Sequence, residues 1–280
     1  CSSPMRTSKR FGHVLRRCGV SVGLALAGGV VMAQQSPVPV FAAGSLRGPL
    51  TEAAKAFEAS AGGLPVALTF GASGLLLDRI KTGADAQVFA SANMAHPQAL
   101  SAAGSFGPTQ VFTRNALCAL VRPGLAVDST NLVATLLRPD VKLGTSTPKA
   151  DPSGDYAFEM FQRVDNAGAP AGSGAALAAK ALQLTGGPTS PPPPADRNVY
   201  GVLVASGQAD VFITYCTNAV VARREQPQLQ VVDIAPAINV AADYGLAVRK
   251  DASPAAQAFA AYLLSPAGQA ILRKAGFGAL

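Results

Sequence analysis

Residues 38–57, VPVFAAGSLRGPLTEAAKAF, decide how this chain is expected to fold. The segment reads as a short buried strand, a turn at Gly44-Ser45, and an amphipathic helix whose apolar residues recur at helical spacing. Ser45 stands where an N-cap is expected, so its hydroxyl and the free backbone N–H groups of the helix would converge on one point. Such a point attracts a negative charge without any cationic side chain.

The same arrangement follows a few residues later. Residues 66–80, VALTFGASGLLLDRI, again run from a strand through a small-residue turn to Ser73 and a helix. A lone serine at a helix start is usually only a cap, whereas a second copy nearby favours a ligand site. A third passage of this kind, residues 141–155, leads through VKLGTSTPKADPSGD to Ser153.

The alternation of strands and helices predicts an α/β protein built on mainly parallel sheets covered by helices. Ligands of such sheets gather at the carboxyl ends of the strands, where the predicted serines lie. Residues 175–184 read as a helix. Residues 185–196 contain four consecutive prolines and read as an exposed loop.

The N-terminus predicts export. Residues 1–33 contain a basic segment, an apolar run too short to span a bilayer, and the small-residue pattern VMA at residues 31–33, which together indicate a signal peptide. Met5 is the expected initiator, and residues 1–4 are interpreted as upstream sequence read through. We therefore expect a periplasmic protein.

The basic character of the chain resides mostly in that segment. Removing its five basic residues from the formal charge of +7 leaves about +2, so the charge gives no reason to expect nucleic-acid binding. The mature chain keeps one histidine, His96, and two cysteines, which argues against a transition-metal site. A secreted serine hydrolase would lack an evident general base and a G-x-S-x-G elbow.

The two cysteines of the mature chain are expected to form a disulfide. Cys118 lies in a predicted strand, and Cys216 follows Tyr215 at the end of a later strand. Strands of one sheet can bring such positions within the Cα separation of about 4.4–6.8 Å that a disulfide needs. Two buried free thiols are the alternative.

Four blocks of the chain stand out together: FAAGSLRGPLTEAAKAFE, TFGASGLLLDRIKTGADAQVFASA, GQADVFITYCTNA and FAAYLLSPAGQAILRKAGF. In this order they resemble the periplasmic molybdate-binding components of ABC importers, over nearly the whole mature chain. The resemblance implies a two-lobed periplasmic-binding-protein fold, each lobe a mainly parallel sheet flanked by helices, hinged by crossing strands. Lobe 1 would comprise residues 36–114 and 239–280, and lobe 2 residues 115–238.

The resemblance also implies a set of ligand-binding residues. In that family a tetrahedral oxyanion is bound by two serine hydroxyls with their amides, two amides of the second lobe, and one tyrosine hydroxyl. Matching motifs carries these roles to Ser45, Ser73, Ser153, Val199 and Tyr215. For Val199, the adjacent Asn198 and Tyr200 are alternatives.

A site of this kind contains only hydrogen-bond donors. A protonated oxyanion would bury an unmatched proton there, at a cost of about 1–3 kcal/mol. We therefore expect a fully ionised dianion, molybdate or tungstate, with sulfate or another small anion as the alternative. The protein would be a monomer without a cofactor that hands its ligand to the membrane permease of an ABC importer. A serine hydrolase and a structural or adhesive protein are the rival classes.

Overall fold

The computed structural model of the protein describes residues 36–60 and 65–280, and the predicted signal peptide lies outside them. The strands are β1 (Val38–Ala43), β2 (Val66–Gly71), β3 (Val88–Ser91), β4 (Gln110–Val121), β5 (Leu143–Ser146), β6 (Leu182–Thr185), β7 (Val211–Tyr215), β8 (Gln230–Asp233) and β9 (Ala241–Val248). The α-helices are α1 (Arg47–Ser60), α2 (Ser73–Lys81), α3 (Ala95–Ala102), α4 (Leu132–Leu137), α5 (Pro152–Val164), α6 (Ser173–Lys180), α7 (Val199–Ala205), α8 (Cys216–Glu225), α9 (Pro254–Leu264) and α10 (Pro266–Lys274).

The strands follow the order β2-β1-β3-β9-β4-β7-β5-β6, and β8 also pairs with β4. Strand β1 is parallel to β2 and β3, and β5 is parallel to β6 and β7, as predicted. Strand β4 is antiparallel to β7, β8 and β9, and β3 is antiparallel to β9. We call β1, β2, β3 and β9 the first half-sheet, and β5, β6, β7 and β8 the second half-sheet.

Strand β4 connects the two half-sheets. Its residues 110–116 pair with β9, and its residues 117–121 pair with β7. The described chain therefore passes from one half-sheet to the other within a single strand. The predicted lobe boundary at residue 115 falls at this transition and stays a prediction.

The first half-sheet combines the beginning and the end of the described chain. Strand β1 is buried at almost every position, as expected for a strand covered on both faces. Helix α1 buries Leu50, Ala53 and Phe57. The Phe57 ring meets Phe259 of α9 edge-on, with ring centroids 5.3 Å apart, so the C-terminal helices complete the packing around α1.

Two helix boundaries differ from the prediction. A 3₁₀ turn, Gly44–Leu46, precedes α1, and its N-cap is Ala43, so the prediction that Ser45 is an N-cap is wrong. The Ser45 hydroxyl bonds to Tyr244 of β9 instead, a long-range partner that replaces the local one. Helix α2 begins at Ser73 itself, with Ala72 as its N-cap.

The predicted helix over residues 175–184 is wrong in its second half. Helix α6 ends at Lys180, and residues 182–185 form β6, which pairs with β5 at the edge of the sheet. Apolar and polar residues alternate in LQLT, which is the period of a half-buried strand. The proline-rich segment that follows has no helix or strand before Val199, as predicted.

Cys118 of β4 and Cys216 of α8 form a disulfide with a Cα separation of 4.7 Å, which confirms that prediction. The bond joins the strand that connects the half-sheets to the helix that follows Tyr215. Across residues 36–60 and 65–280, none of the helices has the length and apolar character needed to cross a bilayer.

Candidate functional site

Ser45 and Ser73 lie beyond the carboxyl ends of two adjacent parallel strands. Strands β1 and β2 are in register up to Ala43 and Gly71, and each serine follows two residues later. The structure therefore brings these two predicted residues to one edge of the first half-sheet. Ser73 is buried, and its hydroxyl accepts a hydrogen bond from the amide of Ala92, just after β3.

Tyr244 of β9 is a member of this site that sequence reasoning missed. Its hydroxyl shares a hydrogen bond of 2.9 Å with the Ser45 hydroxyl. Asn115 of β4 donates to the same tyrosine hydroxyl at 3.4 Å and to Thr217 at 2.9 Å. Because Tyr244 is fully buried, its hydrogen bond holds the Ser45 hydroxyl in one orientation.

Tyr215 ends strand β7 in the second half-sheet and points its ring toward Tyr244. The ring centroids of the two tyrosines are 5.5 Å apart, and Tyr156 of α5 lies 6.3 Å from Tyr215 on another side. The Tyr215 hydroxyl is buried and makes no hydrogen bond of ordinary geometry with the described residues, although it lies close enough to the Tyr244 hydroxyl for each to affect the pKa of the other. Burial raises the pKa of Tyr215 well above its ordinary value, so the phenol is neutral and able to donate.

Ser153 lies in the first turn of α5. Its amide donates to the Asp151 carboxylate at 3.0 Å, because Asp151 is the N-cap of this helix and Pro152 occupies the first position. The Ser153 hydroxyl is fully buried and finds no partner within residues 36–60 and 65–280. The amide predicted to meet the ligand is thus already bonded to a carboxylate.

Asp151 changes the chemistry expected at this helix end. Burial raises the pKa of its carboxyl to about 6, although the Ser153 amide and the nearby Ser146 hydroxyl act in the opposite direction. No hydrogen bond of ordinary geometry joins Ser146 to Asp151, and the fully buried Ser146 hydroxyl has no partner among the described residues. The predicted site was expected to contain only hydrogen-bond donors, whereas the Asp151 carboxylate places an acceptor beside them. The Asp-Pro pair at the start of a helix could have indicated this N-cap from the sequence.

The segments that carry Ser73 and Ser153 are in direct contact. The Gly74 amide donates to the Ala150 carbonyl at 2.9 Å, which links the first turn of α2 to the residues before α5. A Cβ atom on Gly74 would lie 2.5 Å from the Lys149 carbonyl oxygen and 2.6 Å from that of Ala150. Only glycine permits so close an approach of the two backbones.

Val199 is the first residue of α7, whose N-cap is Asn198. The Asn198 side chain accepts from the Gly201 amide at 3.0 Å, and Val199 packs against the apolar cluster that contains Phe212. The neighbouring Tyr200 approaches Asp151 closely enough for the carboxylate to add to the rise in the pKa of Tyr200 that burial causes. Of the three alternatives at this position, Tyr200 is the one that the structure brings near the start of α5.

The described residues, 36–60 and 65–280, contain no group of three or more histidine, cysteine, aspartate or glutamate side chains placed to hold a metal ion. Apart from the Asp151 carboxyl, the groups at the carboxyl ends of the strands are neutral hydroxyls and helix starts. Such groups stabilise an anion by hydrogen bonds and by the dipoles of helix termini.

The chain is similar in sequence to known bacterial proteins. The chain is 36% identical over 239 residues to the uncharacterized protein PM1146 of Pasteurella multocida, covering 85% of this chain and 97% of that protein. It is 28% identical over 286 residues to the molybdate-binding protein ModA of Mycobacterium bovis, covering 94% of this chain and 99% of that protein.

Two solved structures share the fold. The sulfate-binding protein SubI of Mycobacterium tuberculosis has a TM-score of 0.71 at 20% identity, over 87% of this chain and 86% of that one. The periplasmic molybdate-binding protein of Azotobacter vinelandii has a TM-score of 0.67 at 20% identity, over 86% and 98%. The fold is therefore the two-lobed fold of periplasmic binding proteins, as predicted.

The family described as Bacterial extracellular solute-binding protein matches residues 38–278, which is most of the chain. The protein belongs to this family of bacterial extracellular solute-binding proteins.

Proposed function

We propose that the protein captures a tetrahedral oxyanion, molybdate or tungstate, in the periplasm and delivers it to the membrane permease of an ABC importer. The name of the Mycobacterium bovis relative, which aligns over 94% of this chain, supports molybdate as the ligand. Proteins of this family bind solutes, so the proposed role is capture without catalysis and without a cofactor.

The observation that carries the proposal is the buried Tyr215 hydroxyl, which makes no hydrogen bond of ordinary geometry with the described residues and has only the Tyr244 hydroxyl close to it among the groups that affect its pKa by hydrogen bonding. A buried hydroxyl left unsatisfied costs about 1–3 kcal/mol, so it is expected to have a function. Tyr215 faces Tyr244, which holds Ser45, and the unpartnered Ser153 hydroxyl belongs to the same half of the molecule. An oxyanion between these hydroxyls would satisfy them together.

The neutral character of these groups supports a dianion that is recognised by hydrogen bonds. The proposed ligand set is Ser45, Ser73, Ser153, Val199 and Tyr215, with Tyr200 as the alternative to Val199. A hydrogen bond to a charged group contributes about 1.5–3 kcal/mol, roughly twice a neutral one, so five donors suffice for tight binding.

Two lobes that close on the anion would assemble this set. We place lobe 1 at residues 36–114 and 239–280, and lobe 2 at residues 115–238. Strand β4 crosses between them, and the contact of Gly74 with Ala150 would form when the lobes close.

Sulfate is the second candidate, because the sulfate-binding protein SubI has the same fold with a TM-score of 0.71. Sulfate is also a tetrahedral dianion at neutral pH, so the same hydroxyls could bind it. The two candidates differ in the size of the anion that the closed site accepts.

A thermal-shift panel of molybdate, tungstate, sulfate and phosphate on the mature protein tests the proposal. A ligand present at a hundred times its Kd stabilises the folded state by about 2.7 kcal/mol. We expect molybdate or tungstate to raise the Tm most. A larger shift with sulfate would favour the second candidate, and no shift with any of the four would contradict the proposal.

A further inference from the structure

Asp151 occupies the position at the start of α5 where an anion would be expected. Its Oδ1 accepts a hydrogen bond of 3.0 Å from the Ser153 amide. Its other oxygen faces the backbone of the β6–α7 connection, since a Cβ atom on Gly186 would lie 2.5 Å from Asp151 Oδ2. The residue as a whole is only half-buried, but its carboxylate is enclosed by these neighbours.

Three buried hydroxyls that make no hydrogen bond of ordinary geometry with the described residues lie close enough to this helix start to interact with Asp151. They belong to Ser146 at the end of β5, Ser153 in α5 and Tyr215 at the end of β7, each at most 2% exposed. Three unpartnered donors beside one carboxylate indicate that a further group with acceptor atoms belongs there. An oxyanion that reached these hydroxyls would lie next to Asp151 and compete with it for the Ser153 amide.

The charged and titratable groups around Asp151 make a second negative charge unfavourable. Asp155, one turn further along α5, raises the pKa of Asp151, and burial raises it more. The titratable groups on β7 and α7 are the buried phenols of Tyr215 and Tyr200, which stay neutral. Burial raises the pKa of Asp155, whereas Lys149 and His96 of α3 act in the opposite direction, and burial lowers the pKa of that histidine.

We propose that Asp151 couples oxyanion capture to the uptake of one proton, which the bound state shares between the Asp151 carboxyl and an oxygen of the anion. This inference rests on the proposed function and identifies a residue that controls the protonation state of the complex. A fully ionised anion takes the proton from solvent. A monoprotonated anion such as hydrogen phosphate brings its own proton, which a charged Asp151 would accept.

The direction of the pH dependence follows from the linkage of proton and ligand binding. A dianion stabilises the protonated form of Asp151 and so raises its pKa in the complex. Between about pH 6, the pKa in the free protein, and the higher value in the complex, each captured dianion takes up one proton. The Kd for molybdate should therefore rise up to about tenfold for each pH unit above 6.

Titration calorimetry with sodium molybdate in two buffers of different ionisation enthalpy measures this uptake on the mature protein. For the wild type at pH 7 we expect close to one proton taken up per bound anion. Asp151→Asn has the same shape and cannot ionise, so it should bind with almost no uptake and with a Kd that is constant from pH 6 to 8. Asp151→Ser, which can also cap a helix, repeats the test if the first variant fails to fold.

Two control variants separate Asp151 from its neighbours. Asp155→Asn and His96→Gln remove the other titratable groups on this side of α5 and should retain the proton uptake of the wild type. Molybdate binding to the wild type without proton uptake would overturn this inference and leave the proposed function intact. Proton uptake that persists in the Asp151 variants would also overturn this inference and leave the proposed function intact. Failure of molybdate, tungstate and sulfate to bind at all would instead contradict the proposed function.

Discussion

The hydroxyl of Ser45 shares a hydrogen bond of 2.9 Å with the hydroxyl of Tyr244, although the two residues are 199 positions apart in the sequence. Ser45 follows β1 and Tyr244 lies on β9, so the bond joins the two ends of the described chain behind the proposed site. Because Asn115 donates to the Tyr244 hydroxyl, that hydroxyl can donate to Ser45 and leave the Ser45 O–H and backbone amide free to donate to an anion.

Tyr244→Phe should weaken oxyanion binding without contacting the ligand. The change leaves the Ser45 hydroxyl free to rotate and removes the hydrogen bonds of Tyr244 to Ser45 and Asn115, each of which contributes about 0.5–1.5 kcal/mol to the free energy of unfolding. We expect the Kd to rise by several-fold, measured by calorimetry. Tyr262→Phe is the matched control, because Tyr262 packs its ring against Phe57 at the edge of the same core, and the change keeps that ring. Equal affinities of the two variants would show that Tyr244 does not orient Ser45.

Ser45→Ala and Ser73→Ala should each weaken binding by about 1.5–3 kcal/mol, since each removes a hydrogen bond to a charged ligand. They should differ in stability. Ser73→Ala leaves the buried amide of Ala92 without its acceptor and should lower the free energy of unfolding by about 1–3 kcal/mol. Chemical denaturation and calorimetry on the same samples measure both quantities.

Ser60→Ala is the control for these two variants, because among the described residues its hydroxyl bonds to the Phe57 carbonyl alone, at the exposed end of α1. Unchanged affinity in both Ser45→Ala and Ser73→Ala, with lost stability alone, would mean that the serines are structural and make no contact with the anion.

Tyr215→Phe should separate stability from binding. The hydroxyl has no partner in the described structure, so its removal relieves an unsatisfied buried group and should leave the ligand-free protein equally or more stable. The same change should weaken oxyanion binding by about 1.5–3 kcal/mol. Denaturation without ligand and calorimetry with ligand give the two numbers. A clear loss of stability with normal affinity would show that the hydroxyl serves the fold.

Gly74→Ala should impair the contact between the two halves of the site. The added Cβ would lie 2.5 Å from the Lys149 carbonyl oxygen, and the neighbouring atoms are backbone with little freedom to move. We expect a Kd at least tenfold higher with little change in the fold, measured by calorimetry and circular dichroism. Gly48→Ala is the control, because no atom lies within 4 Å of its added Cβ and alanine favours the helix.

Local patterns in the sequence predicted much of this architecture. Strand β1 and helix α1 could be identified because the spacing of the apolar residues changes from that of a strand to that of a helix at Gly44-Ser45. The disulfide was predicted because the chain is expected to be exported and has two cysteines in one predicted sheet. Ser45 was located correctly at the strand end but assigned the wrong local role. Its actual partner, Tyr244, is brought near only by the tertiary fold.

The features that the sequence did not predict depend on packing between distant segments. Strand β6 has four residues and a helix-forming alanine run before it, so only its pairing with β5 identifies it as a strand. Asp151 was visible as part of a helix start, but the buried hydroxyls of Ser146 and Ser153 beside it were not. The role of Val199 stays a prediction.

Titration calorimetry of the mature wild-type protein with sodium molybdate at pH 7 tests the central claim most directly. We expect one bound anion per chain, a Kd that Ser45→Ala and Tyr215→Phe each raise by at least tenfold, and much weaker binding of chloride and nitrate at equal ionic strength. Absence of saturable heat with molybdate, tungstate and sulfate alike, or binding that neither variant changes, would contradict it.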